Sequence, residues 1–214
     1  MSRYRGSDRP ADLVLSACYC QDMHRPLVHD DERVACVVGC MLLVELYQAG
    51  QLQIGRDGKI YPTRGASNED QTLNAVLADL QAQRYSELAA TWLNYLVRRD
   101  ECATTLVWQR LVRGGDALAE KSGWRRRRSR YVLTELRATI WARRYIEEHV
   151  TDNIEEIPET AVVLWRGLKE LRLDAALEIA PDIERRLDRT PLPADLAPLF
   201  AALTHVLARL ATPL

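Results

Sequence analysis

Residues 33 to 50, RVACVVGCMLLVELYQAG, are apolar on nearly every face a helix can present. A helix of that kind must be surrounded on all sides. The longest apolar run, Val34 to Val44, is 11 residues with Gly39 inside it. A bilayer span needs about 20 residues, so the cover must come from protein rather than lipid. The stretch therefore predicts a central helix wrapped by others, and 214 residues suffice for one such core. Gly50 suits the left-handed stop that ends a helix.

QLQIGRDGKIYP follows and alternates apolar with polar around Asp57-Gly58. That dipeptide between two short alternating runs predicts a hairpin with a type I′ turn, which needs positive φ at both central residues. A buried helix running into a tight hairpin is also how winged-helix proteins end their DNA-reading unit. Here the hairpin carries only Arg56 and Lys59 against Asp57, too little charge to hold a phosphate backbone.

The remaining periodicity is helical. Helices are expected over 12–20, with Pro10 and Asp12 suited to its first turn, and over 68–83, striped by Leu73, Val76, Leu77 and Leu80. Others are expected over 86–98, 101–113, 135–149, 158–172, 174–179, 181–189 and 194–210. A second hairpin is expected after Gly115, with its turn inside RRRRSR and YVL returning. No stretch reads as an interdomain linker. The fold class is mainly α: a single-domain helical bundle around a buried central helix, with two small β-hairpins. Residues 1–9 read as a flexible N-terminus and 10–214 as the domain. MSRYRGSDRP lacks an apolar leader segment, so the chain is expected in the cytoplasm, with a peripheral place at the inner face of the membrane open to it.

The net charge of −1 conceals an asymmetry. Between Arg110 and Arg144 there are eleven basic and three acidic residues, a net of +8. Such a patch attracts nucleic acid, an acidic membrane or an acidic partner. Its centre is Arg125, Arg126, Arg127, Arg128 and Arg130, flanked by Trp124 and Tyr131. Arginine forks phosphate oxygens, and Trp and Tyr favour the water–membrane boundary. These seven residues are the expected membrane or partner contact, with DNA as the competing partner of the same tip.

Nucleotide-binding and hydrolase motifs are missing: there is no P-loop, GxGxxG, GxSxG or HExxH. HDDER, with Asp30 and Asp31 ahead of the central helix, reads first as helix capping. A divalent ion holding a diphosphate is the enzymatic alternative, with DNIEEIPE, Asp152 to Glu159, as a second acidic stretch. Five cysteines, Cys18, Cys20, Cys36, Cys40 and Cys102, suit free thiols in a reducing compartment. Cys36 and Cys40 are an i, i+4 pair without a second ligand pair, so no metal or other cofactor is expected. His24, His29, His149 and His205 are scattered.

The order of these segments resembles the Golgi phosphoprotein 3 family. The resemblance runs from RPADLVLSACYCQD through GCMLLVELYQAGQLQI, TLNAVLADL, LVRGGDALAEKSGW and a basic hairpin to PETAVVLWRGLKELRLDAAL. Gly39, Leu42, Glu45, Leu46, Gly50 and Leu52 fall on family positions. The resemblance implies a mostly helical domain that docks on membranes. Its eukaryotic members bind phosphatidylinositol 4-phosphate and recruit glycosyltransferase tails. The Arg-rich, Lys-poor composition is similar to actinobacterial relatives.

Carried over by position, the headgroup pocket of the family implies His29, where the family has Trp, and Val38, where it has Arg. Arg110 and Arg113 have the spacing of its arginine pair, offset by about one position. The second hairpin is implied in membrane approach and in homo-oligomer contacts. The leading reading is thus a non-enzymatic adaptor for an anionic lipid or phosphate-bearing ligand, bound through His29, Arg110, Arg113 and the basic hairpin. A diphosphate-handling enzyme using Asp30 and Asp31, and a DNA-binding regulator, stand as alternatives.

Overall fold

The central helix is α2, Asp31–Gln48, and every residue from Val34 to Leu46 is buried. It is seen in a computed structural model that describes residues 8–19, 26–120, 130–134, 140–152 and 156–211. The Asp30 carboxylate caps the helix by accepting the Arg33 N–H at 2.9 Å. At the other end, Gly50 takes φ +69°. The Gly50 N–H donates to Tyr47 O at 2.8 Å and the Gln51 N–H to Leu46 O at 2.9 Å, the paired bonds of a Schellman stop.

The rest of the bundle is α1 (Pro10–Ala17), α3 (Gln71–Ala82), α4 (Ala89–Arg98), α5 (Ala103–Gly114), α6 (Trp141–Asp152), α7 (Glu159–Glu170), α8 (Pro181–Arg189) and α9 (Ala197–Leu210). A 3₁₀ turn covers Ala175–Leu177. Helices α1, α3, α4, α5, α7 and α9 all pack on α2. The expected mainly α bundle with two hairpins is therefore the fold. No helix among the described residues is long and apolar enough to cross a membrane.

Several helix starts differ from the periodicity: α1 begins at Pro10 rather than Asp12, α5 at Ala103 rather than Glu101 and α9 at Ala197 rather than Ala194, while α3 and α4 differ for a visible reason. α3 begins after Asp70, not Asn68. Asn68 instead accepts the Asp70 N–H at 2.8 Å, and Asp70 accepts the N–H groups of Thr72 and Leu73 at 2.7 and 3.1 Å. α4 begins at Ala89 rather than Ser86, because the chain before it is tied to the first hairpin. The Ile60 N–H donates to Glu87 O at 3.0 Å and the Ala89 N–H to Gly58 O at 2.8 Å.

That hairpin pairs β1 (Leu52–Ile54) with β2 (Ile60–Pro62), Ile54 opposite Ile60. Its turn is not type I′. Only Gly58 of the central pair has positive φ, +75°. The Gly58 N–H donates to Gly55 O and the Gly55 N–H to Lys59 O, both at 2.9 Å. This is a three-residue loop with a left-handed glycine, the commoner partner of longer hairpin connections. The Asp57 carboxylate accepts the Lys59 N–H at 3.1 Å across the turn, and Asp57 itself stays out of the left-handed region. The second hairpin pairs β3 (Ala117–Glu120) with β4 (Arg130–Leu133). Its expected turn, with Trp124 and Arg125 to Arg128, lies outside the described residues.

Two contacts orient the helices around α2. A Cβ on Gly39 would meet Leu96 Cβ at 3.3 Å and Ala103 Cβ at 3.5 Å, so α4 and α5 both cross α2 there. Six residues further on, Glu45 meets Arg110 at 2.7 Å. α5 therefore runs parallel to α2, and α4 returns antiparallel from the first hairpin. Both hairpins spring from the end of the bundle where α2 and α5 finish. Gly39→Val is expected to cost about 2 kcal/mol, because its methyls meet Leu96 and Ala103 and outweigh the gain from removing a helical glycine. The urea midpoint measures this.

A peripheral joint gives a pH prediction. The Asp188 carboxylate accepts Lys169 Nζ at 2.9 Å and Trp165 Nε1 at 2.8 Å. Lys169 first, then Trp165, hold its pKa below the ordinary 3.8. A lowered folded pKa gives stability that is present above about pH 3.8 and lost as pH falls through the folded value. Asp188→Asn is expected to flatten the acid limb of the stability curve below that pH, read from urea midpoints at pH 2.5 to 5.

Candidate anion-binding site

Arg110 projects from α5 into a buried ionic knot. Its Nε donates to Asp12 Oδ1 at 2.7 Å, and its two terminal nitrogens donate to Glu45 Oε2 and Oε1 at 2.7 and 3.2 Å. Glu45 Oε1 also accepts the Ala11 N–H at 2.9 Å, which ties α1 to α2. Asp70 Oδ2 stands 3.7 Å from the same guanidinium and pairs with Arg9. All three central side chains are buried. Burial pushes the Glu45 carboxyl above its ordinary value, while Arg110 pulls it back. Burial likewise opposes the Arg110 charge, but Glu45 and then Asp12 more than offset it and hold its pKa up.

A bidentate guanidinium already shared by two carboxylates has its forks occupied. Arg110 therefore welds α1, α2 and α5 together. Its neighbour Arg113 is exposed, one turn on, and donates to the Thr72 hydroxyl at 2.8 Å. Above the knot lies a groove of about 480 Å³ lined by Arg9, Asp70, Arg113 and Asp116, among others. Its four carboxylates outnumber its three guanidiniums, so it offers a mixed surface and no concentrated positive field.

His29 is not with them. It is exposed just before α2, whereas Arg110 meets Glu45 near the far end of that helix. The helix from Asp31 to Glu45 spans about 21 Å. Val38 is buried and faces the core. The structure thus brings Arg110 and Arg113 together and leaves His29 at the opposite end of the bundle. Asp30 is the helix cap and Asp31 begins the first turn, both exposed. Among the described residues no group of three or more His, Cys, Asp and Glu is placed to hold a metal ion. Cys36 and Cys40 are buried, and burial pushes the Cys36 thiol up to about 12.

The second hairpin is rooted by aromatic packing. Tyr131 stacks on Trp108 of α5 with ring centres 5.5 Å apart, and Tyr19 meets the same indole edge-on at 5.2 Å. Ala117 pairs with Leu133 and Ala119 with Tyr131, so these share the face toward α5. Tyr131, expected to flank the basic tip, is therefore turned inward. Strand alternation gives the other face to Leu118 and Val132, and Leu118 is 61% exposed. Sequence reasoning passed over this outward apolar pair, because its parity is set only once the register is known.

With this geometry in view, the comparison with known families is specific. No curated protein matches the chain significantly. The family model described as Golgi phosphoprotein 3 (GPP34) matches residues 10–209, from the first helix to the last. The chain belongs to the Golgi phosphoprotein 3 family.

Proposed function

We propose that the protein is a peripheral adaptor that docks on anionic membrane surfaces through its second hairpin. The observation that carries this reading is the outward face of that hairpin, where exposed Leu118 lies opposite half-buried Val132 on strands whose connecting segment contains Arg125 to Arg128. An apolar pair beside clustered arginines suits a bilayer boundary, where the pair enters the interface and the guanidiniums meet phosphate. The inward Tyr131–Trp108 stack holds the hairpin base to α5, so the contact is presented on a fixed root. Arg113 adds a partly free guanidinium at the same end of the bundle. Arg110 has no part in the contact, since its charge is already taken up by Asp12 and Glu45.

The test is co-flotation with vesicles of neutral phosphatidylcholine, or with the same lipid plus phosphatidylserine or phosphatidylinositol 4-phosphate. Flotation with both anionic vesicles and none with the neutral ones is the expected result. A preference for phosphatidylinositol 4-phosphate at matched charge would narrow the ligand to that headgroup. Equal flotation on neutral and anionic vesicles would overturn the reading.

A further inference from the structure

A second groove, of about 470 Å³, opens between the first hairpin, the end of α3 and the start of α4. Its floor is Ile60, Leu80 and Trp92, all buried. Tyr61 and Tyr85 stand at its sides, and Tyr85 is 80% exposed. Arg64 and Arg84 are also in the lining, both exposed and without a carboxylate partner among the described residues. Among the described residues no acidic one lines it. The nearest carboxylate along α3, Asp79, is taken by Arg99 at 2.8 Å and the Tyr95 hydroxyl at 3.1 Å. The carbonyl end of α3 adds about half a negative charge, against two whole positive ones.

The arginines are mounted with care. Arg64 sits in a turn closed by the Ala66 N–H donating to Thr63 O at 3.3 Å, with Gly65 left-handed at φ +69°. The Gln81 amide donates to both Thr63 O and Ala66 O at 3.1 Å, clamping that turn to α3. The Thr63 N–H and hydroxyl are bound in addition to Gln51 O and Gly50 O, at 2.9 and 3.1 Å. Arg84 and Tyr85 belong to the short connector whose far end, Glu87 to Ala89, is bonded to the first hairpin. Two arginines lining a groove whose floor includes Trp92, with no acid among its lining residues, match an anion on a flat body. The volume is that of a small-molecule site.

We propose that this groove binds a small phosphate monoester carried on a planar ring. Arg64 and Arg84 fork the phosphate oxygens, and Tyr85 with Trp92 hold the ring. The site stands apart from the second hairpin and does not depend on membrane docking.

Calorimetric titration with phenyl phosphate, inorganic phosphate and phenol tests it. Phenyl phosphate is expected to bind at least tenfold more tightly than either of the others. Arg64→Gln with Arg84→Gln is expected to weaken it at least tenfold, and Tyr85→Ala to remove most of its advantage over inorganic phosphate. Circular dichroism checks that these surface variants stay folded, and vesicle flotation of the double variant should match the parent. Failure of phenyl phosphate to outbind inorganic phosphate, or unchanged affinity in the double variant, would overturn the proposal. Loss of binding on replacing Arg125 to Arg128 instead would assign the anion to the other hairpin and equally overturn it.

Discussion

Arg110→Ala is expected to destabilise the fold by about 3–5 kcal/mol, the cost of leaving buried carboxylates without their cation. Asp12 and Glu45 would then lie buried without the guanidinium they share, and the Ala11 N–H that Glu45 accepts does not replace that charge. The size of the loss should depend on pH. Without the guanidinium, the folded-state pKa of Glu45 rises further above its ordinary 4.5. A raised folded pKa means stability that is full below the unfolded value and lost as pH rises through the folded one. The variant should therefore sit nearest the parent below about pH 4.5 and fall away toward pH 7. Urea denaturation at both pH values measures it. Adding Glu45→Gln and Asp12→Asn should restore part of the loss at pH 7, because amides need no counter-charge. A loss below about 1 kcal/mol at pH 7 would mean that the carboxylates do not depend on Arg110.

That expectation marks where sequence reading stopped. α2 was legible because an all-round apolar helix has one possible place, and Gly50 because a left-handed stop needs a glycine. Asp57-Gly58 located the first hairpin, but the turn type depends on which residues take positive φ, and only Gly58 does. Arg110 and Arg113 looked like one anion-binding pair because their spacing is local. The carboxylates that occupy Arg110 are 65 and 98 residues away in sequence. One signal was present: Glu45 is the single charge within Val34 to Leu46, and a buried acid demands a partner. The parity of β4 was invisible until Tyr131 was seen opposite Ala119. Arg64 and Arg84 line one groove only because the connector after α3 folds back along the first hairpin, a juxtaposition that neither segment announces.

If the second hairpin carries membrane docking as proposed, replacing Arg125, Arg126, Arg127 and Arg128 with Ala should lower partition onto phosphatidylserine vesicles about a thousandfold. Each basic side chain near an anionic surface contributes about 1 kcal/mol, and four together about 4. The loss must shrink in salt, since the screening length falls from about 10 Å at 0.1 M to about 3 Å at 1 M. Leu118→Ser should behave differently. Burial of one leucine in the interface is worth about 1.5–3 kcal/mol and carries no charge, so its removal should weaken binding at least tenfold at low and high salt alike. The two variants separate a surface that merely attracts anions from one that enters a bilayer. A salt-dependent loss in the arginine variant with no effect of Leu118→Ser would point to a soluble acidic partner, and the membrane assignment would fall. Losses in both, shrinking with salt for the arginines and independent of salt for Leu118, are what an interface built from clustered guanidiniums and an outward apolar pair requires.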